Sequence, residues 1–337
     1  MKSYLNVSYK LFLYISVVIV ILAFFSCSTH INFIMPGSSF NGELPLLSSK
    51  QEDIKKQLYQ HVYKFSNDIG MRNMDNYRGM LDAADYIDAE FTKMGYTIIR
   101  QEYLVDNKIA TNIIAEKKGT TKQDEIVVIG AHYDSLEYTV GANDNASGVA
   151  GMLVIANEFR TMKFSRTVRF VAFANEEPPY FKQETMGSYV YAKSCRAENA
   201  NIIAMFSLES IGSYSNDAST QNYPVFLNLF YPDSGNFIAF ISNSDSRHVL
   251  YRTIRMFRET SKFPSEGLIA PAKLPGVDWS DHMSFWNVGY KAVMITDTAT
   301  YRDRNYHTYS DTIEHIDFES TARVVSGLRD VFLELLE

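Results

Sequence analysis

At 337 residues the chain has room for one large domain or two small ones. Its 46% apolar and 21% charged residues are those of an ordinary folded globule, and a net charge of -7 without any basic cluster argues against a nucleic-acid partner. From two cysteines, Cys27 and Cys195, no disulfide framework can be read.

The chain begins as a targeting segment. Lys2 and Lys10 precede an apolar stretch, residues 11–25, which is shorter than the roughly 20 residues that span a bilayer comfortably. Phe24-Phe25-Ser26-Cys27 resembles a bacterial lipoprotein cleavage site, with Phe24 where leucine is usual. Residues 1–27 are therefore expected to export the rest of the chain to the cell envelope, lipid-anchored through Cys27. Plain secretion and a retained N-terminal membrane anchor are the alternatives. Residues 28–50, with Pro36-Gly37-Ser38-Ser39 and Pro45, read as a tether or an arm on the domain surface.

Residues 51–337 read as the catalytic domain. Ile54, Leu58, Val62 and Phe65 recur at helical spacing and stop at Gly70. A second helix is expected over residues 76–94, with Gly95 closing it. Residues 96–103 and 109–115 suggest an antiparallel strand pair, and 117–124 a surface turn. The apolar run 126–129 predicts a buried strand, followed by a helix that ends near Phe159. Thereafter 167–174, 202–208 and 291–295 read as strands. Residues 186–194, 235–243, 246–259 and 317–336 read as helices. Such alternation predicts an α/β domain with a mixed, mostly parallel sheet and helices on both faces.

The chemistry gathers where strands stop. His132 and Asp134 follow one strand, Glu176 and Glu177 the next, and Glu209 a third, while His307 lies in the loop after a fourth. In open α/β sheets, sites form outside the carboxyl ends of the strands. Carboxylates and imidazoles collected there repel one another unless cations sit among them. Two metals sharing an Asp would neutralise the cluster, acidify a bound water and polarise a carbonyl. Of the adjacent pair Glu176 and Glu177, one suits a proton-transferring base and the other a ligand.

His132-Tyr133-Asp134-Ser135, Gly141-Ala142-Asn143-Asp144-Asn145-Ala146-Ser147-Gly148, Glu176-Glu177 and Tyr306-His307-Thr308 together resemble the di-zinc exopeptidase family. That family contains secreted bacterial aminopeptidases, glutamate carboxypeptidases, glutaminyl cyclases and the silent transferrin-receptor ectodomain. The resemblance implies one α/β domain with a mixed sheet of about eight strands and two Zn2+ ions. It makes Asp144 the bridging ligand, with His132 and Glu209 completing one site and Glu177 and His307 the other. It makes Glu176 the general base, Asp134 the partner that orients His132, and Tyr306 a donor to the oxyanion. A cis peptide bond at Asp144-Asn145 also follows from it. One departure is Glu209, since the best-known members carry Asp there.

Among the seven histidines, His30, His61, His248 and His315 read as surface or hydrogen-bonded core residues. His282, in Ser280-Asp281-His282, reads as a supporting hydrogen-bonding group, and Asp311 as a loop-fixing residue. The expected activity is hydrolysis of the first peptide bond in peptides with a free N-terminus, the membrane being contacted only through the N-terminal segment. The rival readings are a glutaminyl cyclase on the same fold and, third, a non-catalytic binding domain. Loops 212–223 and 270–279 are expected to shape the pockets.

Overall fold

A continuous apolar run suits a strand covered on both sides, and β3 (Lys122–His132) is such a strand. Its Val127, Ile129 and Ala131 face one core cluster, while Ile126 and Val128 face another. The larger cluster is completed by α1 (Ser49–Tyr63), α2 (Tyr77–Lys93), α3 (Gly148–Phe159), α5 (Arg247–Thr260) and α7 (Phe318–Leu336). The smaller one lies under α4 (Gly187–Ala197) and α6 (His282–Asn287). The computed structural model describes residues 31–337 apart from Val225, so the N-terminal apolar segment and Cys27 lie outside the described residues. Among the described residues no helix is long and apolar enough to cross a membrane.

The sheet has eight strands in the order β1-β2-β4-β3-β5-β8-β6-β7. Strands β1 (Thr97–Val105) and β2 (Lys108–Lys117) form the expected antiparallel pair. The central block β4 (Arg166–Phe173), β3, β5 (Ile202–Glu209) and β8 (Ala292–Thr296) is parallel throughout. Beyond it, β6 (Ile238–Ser242) pairs antiparallel to β8 and parallel to β7 (Ser265–Ile269).

Two sequence expectations need correction here. Residues 235–243 were expected to be helical, yet they carry strand β6, and β7 had no strand expectation at all. A five-residue apolar run such as Phe237-Ile238-Ala239-Phe240-Ile241 has the same pattern in a strand and in a buried helix turn, and only sheet pairing decides between them. The turn after β2 is also shorter than expected, because β3 starts at Lys122.

Helix ends follow local chemistry. Ser48 and Gln51 form a reciprocal capping box at α1, and the Asp317 carboxylate accepts from the amides of Glu319 and Ser320 at α7. Ahead of α1, the N-terminal arm runs along the β7 edge, where Asn32 and Ile269 exchange two backbone hydrogen bonds of 2.8 and 2.9 Å.

Candidate metal centre

Because β4, β3, β5 and β8 are parallel neighbours, their carboxyl ends lie side by side. His132 is the last residue of β3 and Glu209 the last of β5. Glu176 and Glu177 stand just beyond β4, and the loop after β8 carries Tyr306 and His307. Asp144 comes from the loop between β3 and α3, where Gly141 takes a left-handed φ of +52°. A side chain at Gly141 would also collide with the Asp144 carbonyl, so glycine is required there twice over. The Asp144-Asn145 peptide is cis, as the resemblance implied.

The side chains form two groups that share one carboxylate: His132, Asp144 and Glu209, and Asp144, Glu177 and His307. His132 Nε2 lies 3.2 Å from Asp144 Oδ1 and 3.3 Å from Glu209 Oε2. His307 Nε2 lies 3.0 Å from the other oxygen, Asp144 Oδ2, and 3.2 Å from Glu177 Oε2. Glu176 belongs to neither group, its Oε2 standing 4.0 Å from His132 Nε2. All eight residues singled out in the sequence therefore meet at one end of the sheet.

Their supports come from residues of two kinds. Asp134 lies 3.5 Å from His132 Nδ1, too long for a good hydrogen bond. Its stronger contacts are with the amides of Glu176 and Glu177, which donate to its two oxygens at 3.1 and 3.0 Å. Asp311 is the loop-fixing residue expected, accepting from the amides of Asn143 and Asp144 at 2.7 and 3.0 Å. His282 lies 2.8 Å from the Val277 carbonyl and outside both groups.

Other supports had no sequence expectation. Arg72 is fully buried and donates to the carbonyls of Tyr133, Val140 and Gly141, binding both ends of the loop that bears Asp144. Glu209 accepts from the hydroxyls of Ser210 at 3.0 Å and Ser280 at 2.7 Å, which steer its side chain. Asn145 donates to the Leu208 carbonyl and accepts from the Ser210 amide, joining the loop to the end of β5. Arg72 stands in a segment with no periodic pattern, so nothing local marked it.

The cluster is electrostatically unfinished. Burial and the nearby Asp144 push the Glu177 carboxyl up to about 8. Burial likewise raises Glu176, against the pull of His132 and with the help of Glu209 and Glu177. Burial acts against the charged His307 ring, yet Asp144 and Glu177 draw it up to about 10. Both ring nitrogens of His132, Nε2 of His307 and Oε1 of Glu177 are buried without a hydrogen-bond partner. Nitrogen and carboxylate donors left unpaired around a shared acid are the donor set that zinc takes. The residues present fit the metal.

Beside Glu209 and Tyr306 opens a narrow cleft of about 80 Å³ with mostly apolar walls. Tyr223, Leu227, Tyr231, Val277, Trp279 and Met294 are among its lining residues, drawn partly from the two loops expected to build pockets. Tyr306 stacks on the His307 ring at 3.9 Å. Burial first, and then the surrounding carboxylates, keep its phenol protonated.

Such a sheet, with two histidine–carboxylate groups sharing an acid at its carboxyl edge, defines a metallohydrolase centre on an α/β fold. Residues 112–332 match peptidase family M28. The chain belongs to this family of zinc metallopeptidases. It is 33% identical over 292 residues to the uncharacterized protein YfbL of Escherichia coli (strain K12), covering 84% of this chain and 89% of that protein. Aminopeptidase YwaD of Bacillus subtilis (strain 168) is 28% identical over 217 residues, which cover 63% of this chain and 42% of YwaD. Among solved structures, BSAP, a zinc aminopeptidase from Bacillus subtilis, is similar with a TM-score of 0.69 at 16% identity, covering 88% of this chain and 97% of that one. A Bacteroides thetaiotaomicron glutaminyl cyclase is similar with a TM-score of 0.62 at 17% identity, covering 84% and 97%. These solved structures share the single mixed-sheet fold.

Proposed function

We propose that this chain is an exported aminopeptidase with two co-catalytic zinc ions, removing residues from the free N-terminus of peptides. The observation that carries the reading is Asp144, whose two oxygens face two different histidines at 3.2 and 3.0 Å. Zinc held by His132, Asp144 and Glu209, and by Asp144, Glu177 and His307, would activate a water and polarise the scissile carbonyl. Glu176, outside both groups, takes the proton of the attacking water and passes it to the leaving amine. Asp134 sets the position of that base through the Glu176 and Glu177 amides and faces the His132 ring. Tyr306, at the border of the cleft, donates from its phenol to the oxyanion of the tetrahedral intermediate.

The apolar cleft receives the side chain of the N-terminal residue, so large apolar and aromatic residues are favoured. The surrounding carboxylates suit the substrate's ammonium group. Residues 1–27 carry the enzyme to the cell envelope, with Cys27 as the lipidated residue. A panel of aminoacyl nitroanilides, assayed with and without a chelator and beside a zinc count, tests the reading. Chelator-sensitive hydrolysis, best for Leu or Phe, with two zincs per chain is expected. Cyclisation of an N-terminal Gln peptide without nitroanilide hydrolysis would replace it with a glutaminyl cyclase.

A further inference from the structure

We propose that the N-terminal arm is a working part of the cleft: Ile31, Phe33 and Met35 back the wall built by residues 223–224, 226–231 and β7, and so set which N-terminal side chains are accepted. The proposal rests on the aminopeptidase reading.

The arm alternates as an edge strand does. Ile31 and Met35 are buried, while Ile34 between them is 76% exposed. Ile31 is buried with Leu227, Ala270 and Val277, and Phe33, Tyr223, Tyr231 and Leu268 pack against the same cluster. Of these, Leu227, Val277, Tyr223, Tyr231 and Leu268 line the cleft. The side chains that face the substrate are thus backed by the arm.

Three further contacts carry the coupling. Phe33 stacks on Phe230 with ring centroids 4.1 Å apart. Among the described residues of this wall, 223–224 and 226–231, there is no strand and one three-residue 3-10 turn, Leu227–Leu229, so side-chain packing rather than a backbone ladder holds them. Met35 fills the space over Gly267, where an added Cβ would lie 2.7 Å from Met35 Cγ. Gly267 lines the cleft, and its carbonyl accepts the Tyr231 hydroxyl at 2.7 Å.

The arm is fastened as well as packed. Asn32 Nδ2 donates to the Tyr251 hydroxyl at 2.6 Å. Arg258 donates to the carbonyls of Pro36 and Gly37, both at 3.2 Å, and to Ser265 at 2.8 Å. It also stands 3.7 Å from Glu266, another lining residue. A wall held in place before substrate arrives costs less ordering when a side chain binds. Losing that support should weaken binding of side chains long enough to reach the wall and leave the reacting centre alone.

Phe33→Ala in the full-length, zinc-loaded protein tests Phe33 as a positioning residue. From the usual worth of a stacked ring pair, KM for Leu and Phe nitroanilides should rise roughly three- to tenfold. Turnover at saturation and the kinetics of the Ala substrate should hold within about twofold, and Phe33→Tyr should restore the parent values. An equal change for all substrates, or none, would overturn the proposal. Hydrogen exchange gives a readout that needs no turnover: amides of residues 226–231 should exchange faster in Phe33→Ala, with α1 unchanged. Unchanged exchange there contradicts the arm's role. If the parent hydrolyses no nitroanilide, the aminopeptidase reading alone has failed.

Discussion

The metal centre and the apolar cleft share Glu209 and Tyr306 yet are built by opposite means. The centre hangs from the ends of four parallel neighbours in the middle of the sheet, and five of its eight residues are less than 5% exposed. The cleft is made of residues 221–224, Leu227, 275–277, Trp279 and 298–301 together with strands β6 and β7, and it is backed by the N-terminal arm. One region positions reacting groups on rigid elements, and the other shapes a volume with loops. Reaction type should therefore respond to substitutions in the first region, and substrate choice to those in the second.

The largest effect should come from Asp144→Asn. An amide cannot bridge as a carboxylate does, so both metal positions should weaken together and activity should fall by more than about a thousandfold. Zinc content after dialysis, read beside nitroanilide turnover, checks this. Loss of only one zinc would show that the two groups are less dependent on Asp144 than their geometry indicates.

A smaller and more selective effect is expected in the cleft. Ala239 lies on β6 opposite Thr296 and lines the cleft wall. Ala239→Leu would fill space that a large substrate side chain needs. It should lower kcat/KM for Phe and Leu nitroanilides by about ten- to a hundredfold, and for the Ala substrate by less than about twofold. A uniform loss across the panel would erase the distinction between the two regions.

The smallest effect lies outside both regions and serves as a control. His61 of α1 is buried beside the Tyr86 hydroxyl, and burial lowers its pKa from 6.5 to about 4. The unfolded chain therefore takes up this proton first as the pH falls. Stability is intact above about pH 7, declines between about 6.5 and 4, and is level below that; the full contribution is about 3 kcal/mol. His61→Gln should flatten the dependence of Tm on pH within that window and leave the kinetics unchanged. An unaltered slope would mean that other groups govern acid stability.

The comparison also explains what could be read in advance. A buried parallel strand with His or Glu at or just past its end announces itself through its apolar run and the polar residues that stop it, so β3, β4 and β5 and the residues they deliver were legible. Strands β6 and β7 were not. In β6 the run is too short to carry a period, and β7 (Ser265-Glu266-Gly267-Leu268-Ile269) is interrupted by Glu266 and Gly267, each present for a tertiary reason. Gly267 makes room for Met35, and Glu266 faces Arg258. Arg72 likewise became meaningful only once the carbonyls of Tyr133, Val140 and Gly141 had been brought around it. Ligands set by chemistry can be read locally; supports set by packing need the fold.

The central claim is the division between the five-residue metal cradle and a separate proton carrier at Glu176. Glu176→Gln keeps the side chain's size and removes its basicity. The direct measurement is turnover of this variant alongside its zinc content. The account predicts unchanged zinc and a loss of about a hundred- to ten-thousandfold in kcat. Normal turnover with both zincs in place would contradict it.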